Sequence, residues 1–544
     1  MNWYPANGEL VHPLPLDDMR CNHDDAGKFI EKGSHMSVFY RHSFGAVVAY
    51  TVATQGAFAE LTANDVWADW QAYLGGMGYT VTGDSSVSGD VTTISNITMA
   101  LALPEAEGQM SMVMPEMTLT ENGDGTVGVG FPDSFPLSIT GGAEGDEDAF
   151  SAKLLYENDG LDMVVSGSPE EMTYDYSANS IKVSVDSIEV DGEVMPSDMF
   201  SFVVTLADTT GKSLMKIGEN RDITQSFSAS ALDYNLAFQD PENGEDGLIK
   251  GALQQLEFEG DTVIPTDFDV TDVENFYASG FAASGTFSYG AGKTDVSGTS
   301  EGQPFSMASS SEGGRFQGGI DAERIVYDLE QKSTQLAVTT ADLPFPIEMA
   351  MAKAGLKLEM PVQASEEVQP FGFGLNLTDF TMSDVLWSMF DPAGALPRDP
   401  ATIALDTTGT AKVLVDFMDP EVAETLEAGD VTPGELHSLK INELLISLVG
   451  AELSGDGDFT FDNATPDALT GMPTPSGVAN LKLVGANALI DKLIGMGFVS
   501  ENDAMGARMM MGLMAVPGEE PDTLTSNIEF TEDGQILANG QRIK

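Results

Sequence analysis

Met110, Met112 and Met114, in the run Met110-Ser111-Met112-Val113-Met114-Pro115-Glu116-Met117, come closest to chemistry by residue type and spacing. On a strand they share one face, and clustered thioethers are soft ligands suited to Cu(I). Methionine also fills irregular apolar surfaces, because its unbranched side chain adapts to what it meets. The chain has 28 methionines and places no His or Cys beside these three, so packing is the better explanation. A methionine-rich face that accepts an acyl chain would be its ligand-binding form, with Trp387 as a second candidate contact.

Other chemistries find less support. A Ser-His-Asp triad in the region after residue 59 would have to use His437, in Glu435-Leu436-His437-Ser438, and no G-x-S-x-G elbow accompanies it. Carboxylate pairs of the kind a glycoside hydrolase needs are too numerous to single one out. Asp456-Gly457-Asp458 and Asp240 to Gly247 have D-x-D or D-x-E spacing but lack the pattern of an EF-hand, so they read as hairpin turns. No G-x-G-x-x-G precedes a helix and no Walker A motif occurs, so no cofactor or metal is expected.

What can react also depends on which residues stay in the working protein. Arg41, the apolar run Phe44 to Ala59 and the ending Ala57-Phe58-Ala59 describe a secretory signal peptide cut after Ala59. Its start would be Met36, which makes residues 1–35 a mis-called extension and 36–59 the signal. Cleavage would remove Cys21 and the histidines His12, His23, His35 and His42, leaving His437 as the sole imidazole and no thiol. The expected location is the periplasm or another exported compartment, with stability from packing and not from disulfides. No later segment is apolar enough to span a membrane.

The 544-residue chain carries 86 acidic and 24 basic residues, a net charge of −62. Removing residues 1–59 changes these counts only to 80 and 20. Such a surface repels nucleic acid and anionic headgroups, so neither is an expected partner.

The elements that would position a site are mostly strands. Thr62 caps an amphipathic helix that presents Val66, Trp67, Trp70, Tyr73 and Leu74 and ends at Gly75-Gly76. From Val81 the pattern turns to period two, as in Ile181, Val183, Val185; Leu232, Tyr234, Leu236, Phe238; and Phe371, Phe373, Leu375, Leu377. A slip of phase after Val185 predicts a bulge or a new strand at Ser187. Hairpin turns are expected at Asn122-Gly123, Asp191-Gly192, Asp456-Gly457 and Asp533-Gly534. The glycine- and serine-rich stretch from Ser279 to Gly319 keeps Phe281, Phe287 and Tyr289 in alternation and reads as strands and loops. Short helices return at Met382 to Phe390, at Asn487 to Met496, and from Glu501 to Met514 behind Ser500, the last with Met505, Met509, Met510, Leu513 and Met514 inward. The fold class is mainly β: large, curved antiparallel sheets with a few helices, divided into halves 60–240 and 248–544 at a hinge over Asp240 to Gly247.

Two segments, Leu386 to Thr402 (LWSMFDPAGALPRDPAT) and Asp522 through Gln541, resemble the bacterial family catalogued as domain of unknown function 2125, and Leu61 to Trp67 is similar to that family's mature N-terminus. The resemblance spans most of residues 60–544. It implies an exported protein of Gram-negative bacteria and brings no activity or catalytic residue with it. A more distant, fold-level likeness is to AsmA-like envelope proteins, whose curved sheets are thought to hold lipid. The expectation is a non-enzymatic envelope protein with a sheet groove for a lipid or other apolar ligand. The alternative is a secreted, glycan-directed carboxylate hydrolase.

Overall fold

The computed structural model describes residues 60–103, 108–141, 150–190, 193–196, 198–240, 243–266, 280–417, 422, 425–426, 431–464 and 473–544. The expected extension 1–35, the signal segment 36–59 with Ala57 and Ala59, and the turn Asp191-Gly192 lie outside the described residues. The protein is mainly β, as the alternation predicts, and its described strands form one antiparallel sheet.

The order is a meander. Glu171–Val190 pairs with Phe200–Ile217, which pairs with Asn220–Gln239, which pairs with Asp246–Pro265. The same step repeats through Arg324–Thr340, Ile347–Pro361, Gln369–Met382, Ala401–Val413, Gly434–Leu448, Ala451–Asp462 and Thr474–Val484 to Thr523–Phe530. At the expected hinge over Asp240 to Gly247, the flanking strands pair with each other, Gln239 facing Asp246. The stretch after Ser279 forms strands, Ala282–Tyr289 through Gly313–Ile320. Ser187 marks a bulge inside one continuous strand, where the partner of Lys153 is Ser187 and that of Leu154 is Val185.

Many strands are long, 20 residues in Glu171–Val190, which is about 65 Å at the usual rise. They are also creased. Asn96, Asp208, Gln255, Ser333 and Asp379 have φ between 46° and 54° in the middle of strands, and Gly160 has φ 65°. The registers align these positions. Asp208 lies opposite Asn179, which faces Gly160, and Gln255 lies opposite Ser230. Ser230 Oγ donates to Asp208 Oδ2 at 2.9 Å and Asn179 Nδ2 to Asp159 Oδ2 at 3.3 Å, so short polar side chains bond along the crease. Left-handed residues favour Asn, Asp and Gly, and a bulge inserts one extra residue into the alternation. Apolar residues flanking the crease are therefore three apart, Ile94 and Ile97 on one strand and Met114 and Met117 on its neighbour, all buried in one cluster.

Helix Ala63–Gly76 covers that end of the apolar face. Thr62 accepts the Asp65 N–H and Asp65 returns the bond to the Thr62 N–H at 2.9 Å, a reciprocal cap. Its inner face brings Val66 and Trp67 onto Ile94, Met117, Leu119, Val127, Val165 and Met172. Between them it buries a charge. Asp69 lies 2.7 Å from Arg221 Nη2, with side chains only 3% and 10% exposed. Tyr174 Oη donates to Asp69 at 3.1 Å, Trp70 Nε1 donates to Tyr174 at 3.2 Å, and the guanidinium lies 5.2 Å from the Tyr73 ring centre. Burial, then the Asp69 charge, push the Tyr174 phenol far up, so it stays a neutral donor.

Removing one partner of such a pair strands a buried charge, at a cost of about 3–5 kcal/mol, whereas replacing both with apolar residues is much milder. Chemical denaturation followed by Trp67 and Trp70 fluorescence should show Arg221→Ala losing about that much stability. The double change Asp69→Leu, Arg221→Met should recover most of it.

Candidate functional site

The candidate site is the apolar face of the sheet. Cross-strand pairs trace it from strand to strand. Phe316 faces Leu329, Leu329 faces Leu356, Leu356 faces Leu375, and Leu375 faces Leu405. Leu405 faces Leu444, and one step along, Ile446 faces Leu453, Leu453 faces Leu483 and Leu483 faces Leu524. Antiparallel sheets normally cover such a face and leave the other in water. Here the N-terminal helix covers the first strands, and among the described residues no helix covers the run from Phe316 to Leu483. The side chains there are half-buried by their neighbours alone: Phe316 is 37% exposed, Leu329 40%, Leu356 37% and Ile403 40%. Isolated apolar side chains on a surface are ordinary, but a contiguous face marks a binding surface.

The opposite face is polar. Lys182 bonds Glu157 and Lys353 bonds Glu330, both at 2.7 Å and both partly exposed, and such pairs contribute about 0–1 kcal/mol each. Two concavities open on this side. One, of about 620 Å³, is lined by Asp456, Asn480, Lys482, Asn527 and Asn539. Asn480 donates to Asp456 at 3.1 Å and Asn527 to Asn480 at 2.9 Å, so its amides are engaged with one another. The other, of about 590 Å³, is floored by Ala308, Ser310, Ala337 and Ala350.

Met110, Met112 and Met114 share the apolar face, as their spacing predicts. They lie opposite Leu101, Met99 and Ile97, and Met112 also meets Ile139. Met114 is buried in the cluster under the N-terminal helix, and the other two are half-buried. Their surroundings are hydrocarbon, which suits packing or an alkyl ligand. Trp387 lies in helix Asp384–Phe390, its ring 4.9 Å from that of Phe390, directly after strand Gln369–Met382. Eleven strand passes at about 4.8 Å separate that strand from the methionines, so the structure does not bring Trp387 to them. Past that helix, Asp391 is fully buried and accepts the Ala395 and Leu396 N–H groups at 2.8 Å, which hold its carboxyl below the usual range.

His437 lies on strand Gly434–Leu448, 3.8 Å from Glu435. The adjacent Ser438 hydroxyl is bonded to Thr410 at 2.7 Å, and among the described residues no Ser-His-Asp triad is assembled around His437. Asp456-Gly457 is not a turn. Both residues lie inside strand Ala451–Asp462, where Gly457 pairs with Ala479. A Cβ on Gly457 would come 2.8 Å from the Phe459 ring, so this glycine makes room for a ring and does not reverse the chain.

The largest departure from expectation is at the C-terminal helical hairpin. Helices Ala486–Met496 and Glu501–Met514 form where expected, and Ser500 accepts the Asp503 N–H at 3.2 Å. Met505, Met509, Met510 and Leu513 do not point inward, whereas Met514 is half-buried. Met505 is 67% exposed, Met509 71%, Met510 51% and Leu513 55%. Ala504 and Arg508 take the inner side, with Arg508 bonded to Asn487 at 3.2 Å and Asp491 at 2.6 Å. Polar groups also fasten the hairpin to the sheet. Asp522 accepts the Asn487 side-chain amide at 2.8 Å and the Ala488 N–H at 2.9 Å, capping the first helix, whose own cap position is Gly485.

Compared with known proteins, the chain matches no family model, no curated protein and no solved structure.

Partial burial alone would raise the Asp522 pKa, but the Ala488 and Asn487 bonds outweigh it and hold the value below its ordinary 3.8. A depressed carboxyl contributes stability above its unfolded pKa and loses it as pH falls through the folded one. Asp522→Asn should therefore lower the thermal midpoint at neutral pH, and the gap from wild type should close below about pH 4. Calorimetry of both proteins across that range measures it.

Proposed function

We propose that this is an exported, non-enzymatic envelope protein that holds an acyl-chain lipid or a similar apolar ligand against the apolar face of its sheet. The observation that carries the reading is the run of partly exposed Leu, Phe and Ile from Phe316 to Leu483, which no helix covers among the described residues. An alkyl chain asks for contact area and offers no hydrogen bonds. This face suits it, because the backbone groups beneath are paired between strands and only side chains present themselves. Each buried methylene contributes about 0.8 kcal/mol, so a dozen would give about 10 kcal/mol before the cost of association. That is ample for retention through purification.

Export to the periplasm belongs to the same proposal. It is supported by the signal-like segment at Phe44 to Ala59 and by the resemblance to domain of unknown function 2125 over Leu386 to Thr402 and Asp522 to Gln541. The charge of −62 fits a protein that must keep a broad apolar face in solution without self-association.

Protein purified from a periplasmic fraction should release an apolar molecule on solvent extraction, identified by mass spectrometry. Phe373→Asp with Leu375→Asp places two carboxylates on the face and should reduce the bound amount at least about tenfold. A wild-type extract containing no such molecule would sink the proposal.

A further inference from the structure

The helical hairpin is amphipathic the wrong way round. A surface helix ordinarily turns its apolar stripe inward and its charges out. Helix Glu501–Met514 turns Arg508 inward, onto Asn487 and Asp491, and sends Met505, Met509 and Leu513 out at successive turns. Phe498, at the tip between the two helices, is 61% exposed, and Val516, just past the second helix, is 45% exposed. Exposing one methionine costs little, but two methionines and a leucine at successive turns, with an exposed phenylalanine in the preceding connection, are a surface built for an apolar phase.

Its position limits what that phase can be. The first helix leaves the sheet directly after Val484, next to Leu483. The chain returns at Val516, which pairs with Thr525 beside Leu524. Leu483 and Leu524 are neighbours on the proposed ligand face. The exposed stripe thus joins the sheet at the last pair of the face that would hold an acyl chain. A partner there must accept both the stripe and an acyl chain, and a bilayer does both. Long, flexible methionines suit an interface with no fixed shape.

We propose that this hairpin docks the protein on a lipid bilayer, with Phe498, Met505, Met509 and Leu513 inserted at the headgroup boundary. The inference rests on the reading of the sheet as a lipid holder, since the hairpin joins the sheet beside Leu483 and Leu524. Charge selects the kind of bilayer. The two cations of the hairpin that could meet headgroups are few, with Arg508 committed to Asp491, while Glu501, Asp503, Glu519 and Glu520 flank the stripe. Docking should therefore favour zwitterionic over anionic lipid, the reverse of the usual basic interfacial helix.

Flotation of the full purified chain with vesicles tests this. With phosphatidylcholine vesicles the protein should rise with the lipid, and mixing phosphatidylglycerol into the vesicles should reduce the bound fraction. Met505→Glu with Met509→Glu should lower binding at least about tenfold while leaving the thermal midpoint unchanged, because both side chains are already in water. The same variant should keep its copurifying apolar ligand, and Phe373→Asp with Leu375→Asp should lose ligand but still float, which separates docking from holding. Wild-type protein that stays with the soluble fraction, or a double glutamate variant that floats equally well, would overturn the inference. So would light scattering that shows a dimer which the variant breaks, since the stripe would then belong to a second copy.

Discussion

Backbone hydrogen bonding between neighbouring strands is the constraint on which everything else in this protein depends. Each strand satisfies the one before it, so the structure holds together laterally without the thick dry core of a sandwich. Among the described residues the buried apolar side chains concentrate under the N-terminal helix, and the later strands contribute few, among them Ala404, Val413 and Ile528. A ladder of this kind leaves both faces free to be specified by other demands. One face takes charge and amides, and the other takes hydrocarbon.

The buried ion pair between Asp69 and Arg221 makes sense in that setting. An apolar helix could slide along an apolar face at little cost, since hydrophobic contact has no direction. A carboxylate that must meet one guanidinium, one phenol and, through it, one indole can sit in a single place. Its specificity fixes how far the helix reaches, and thereby where the covered part of the face ends and the open part begins.

Much of this was legible in the chain, because period-two alternation survives wherever one face of a strand is apolar. The strands, the Thr62 and Ser500 caps, and the common face of Met110, Met112 and Met114 follow from local pattern. The crease is harder to read. Its signals are a three-residue spacing of apolar positions and an Asn or Asp at the slip, as at Asn96, Asp208 and Asp379, and they register only when several strands are aligned. Asp69 stood between Val66 and Tyr73 on the apolar side of its helix, a visible anomaly whose partner is far away in sequence. The inward placement of Met505 and Met509 failed for another reason. Hydrophobicity predicts burial only when something is there to do the burying, and the hairpin is fastened by Asp522, Asn487 and Arg508 instead. Asp456-Gly457 misled because a turn and a glycine that shelters beneath a ring are written with the same residues.

The repeated crease has a consequence for how such a molecule can change over generations. Because several hairpins carry their own kink, aligned with that of a neighbour, duplicating one would lengthen the sheet by two strand spacings, about 10 Å, without disturbing the bend elsewhere. Deleting one would shorten it equally cleanly. The width of the sheet is in that sense a modular quantity, set by counting hairpins, while its cross-section is inherited unchanged.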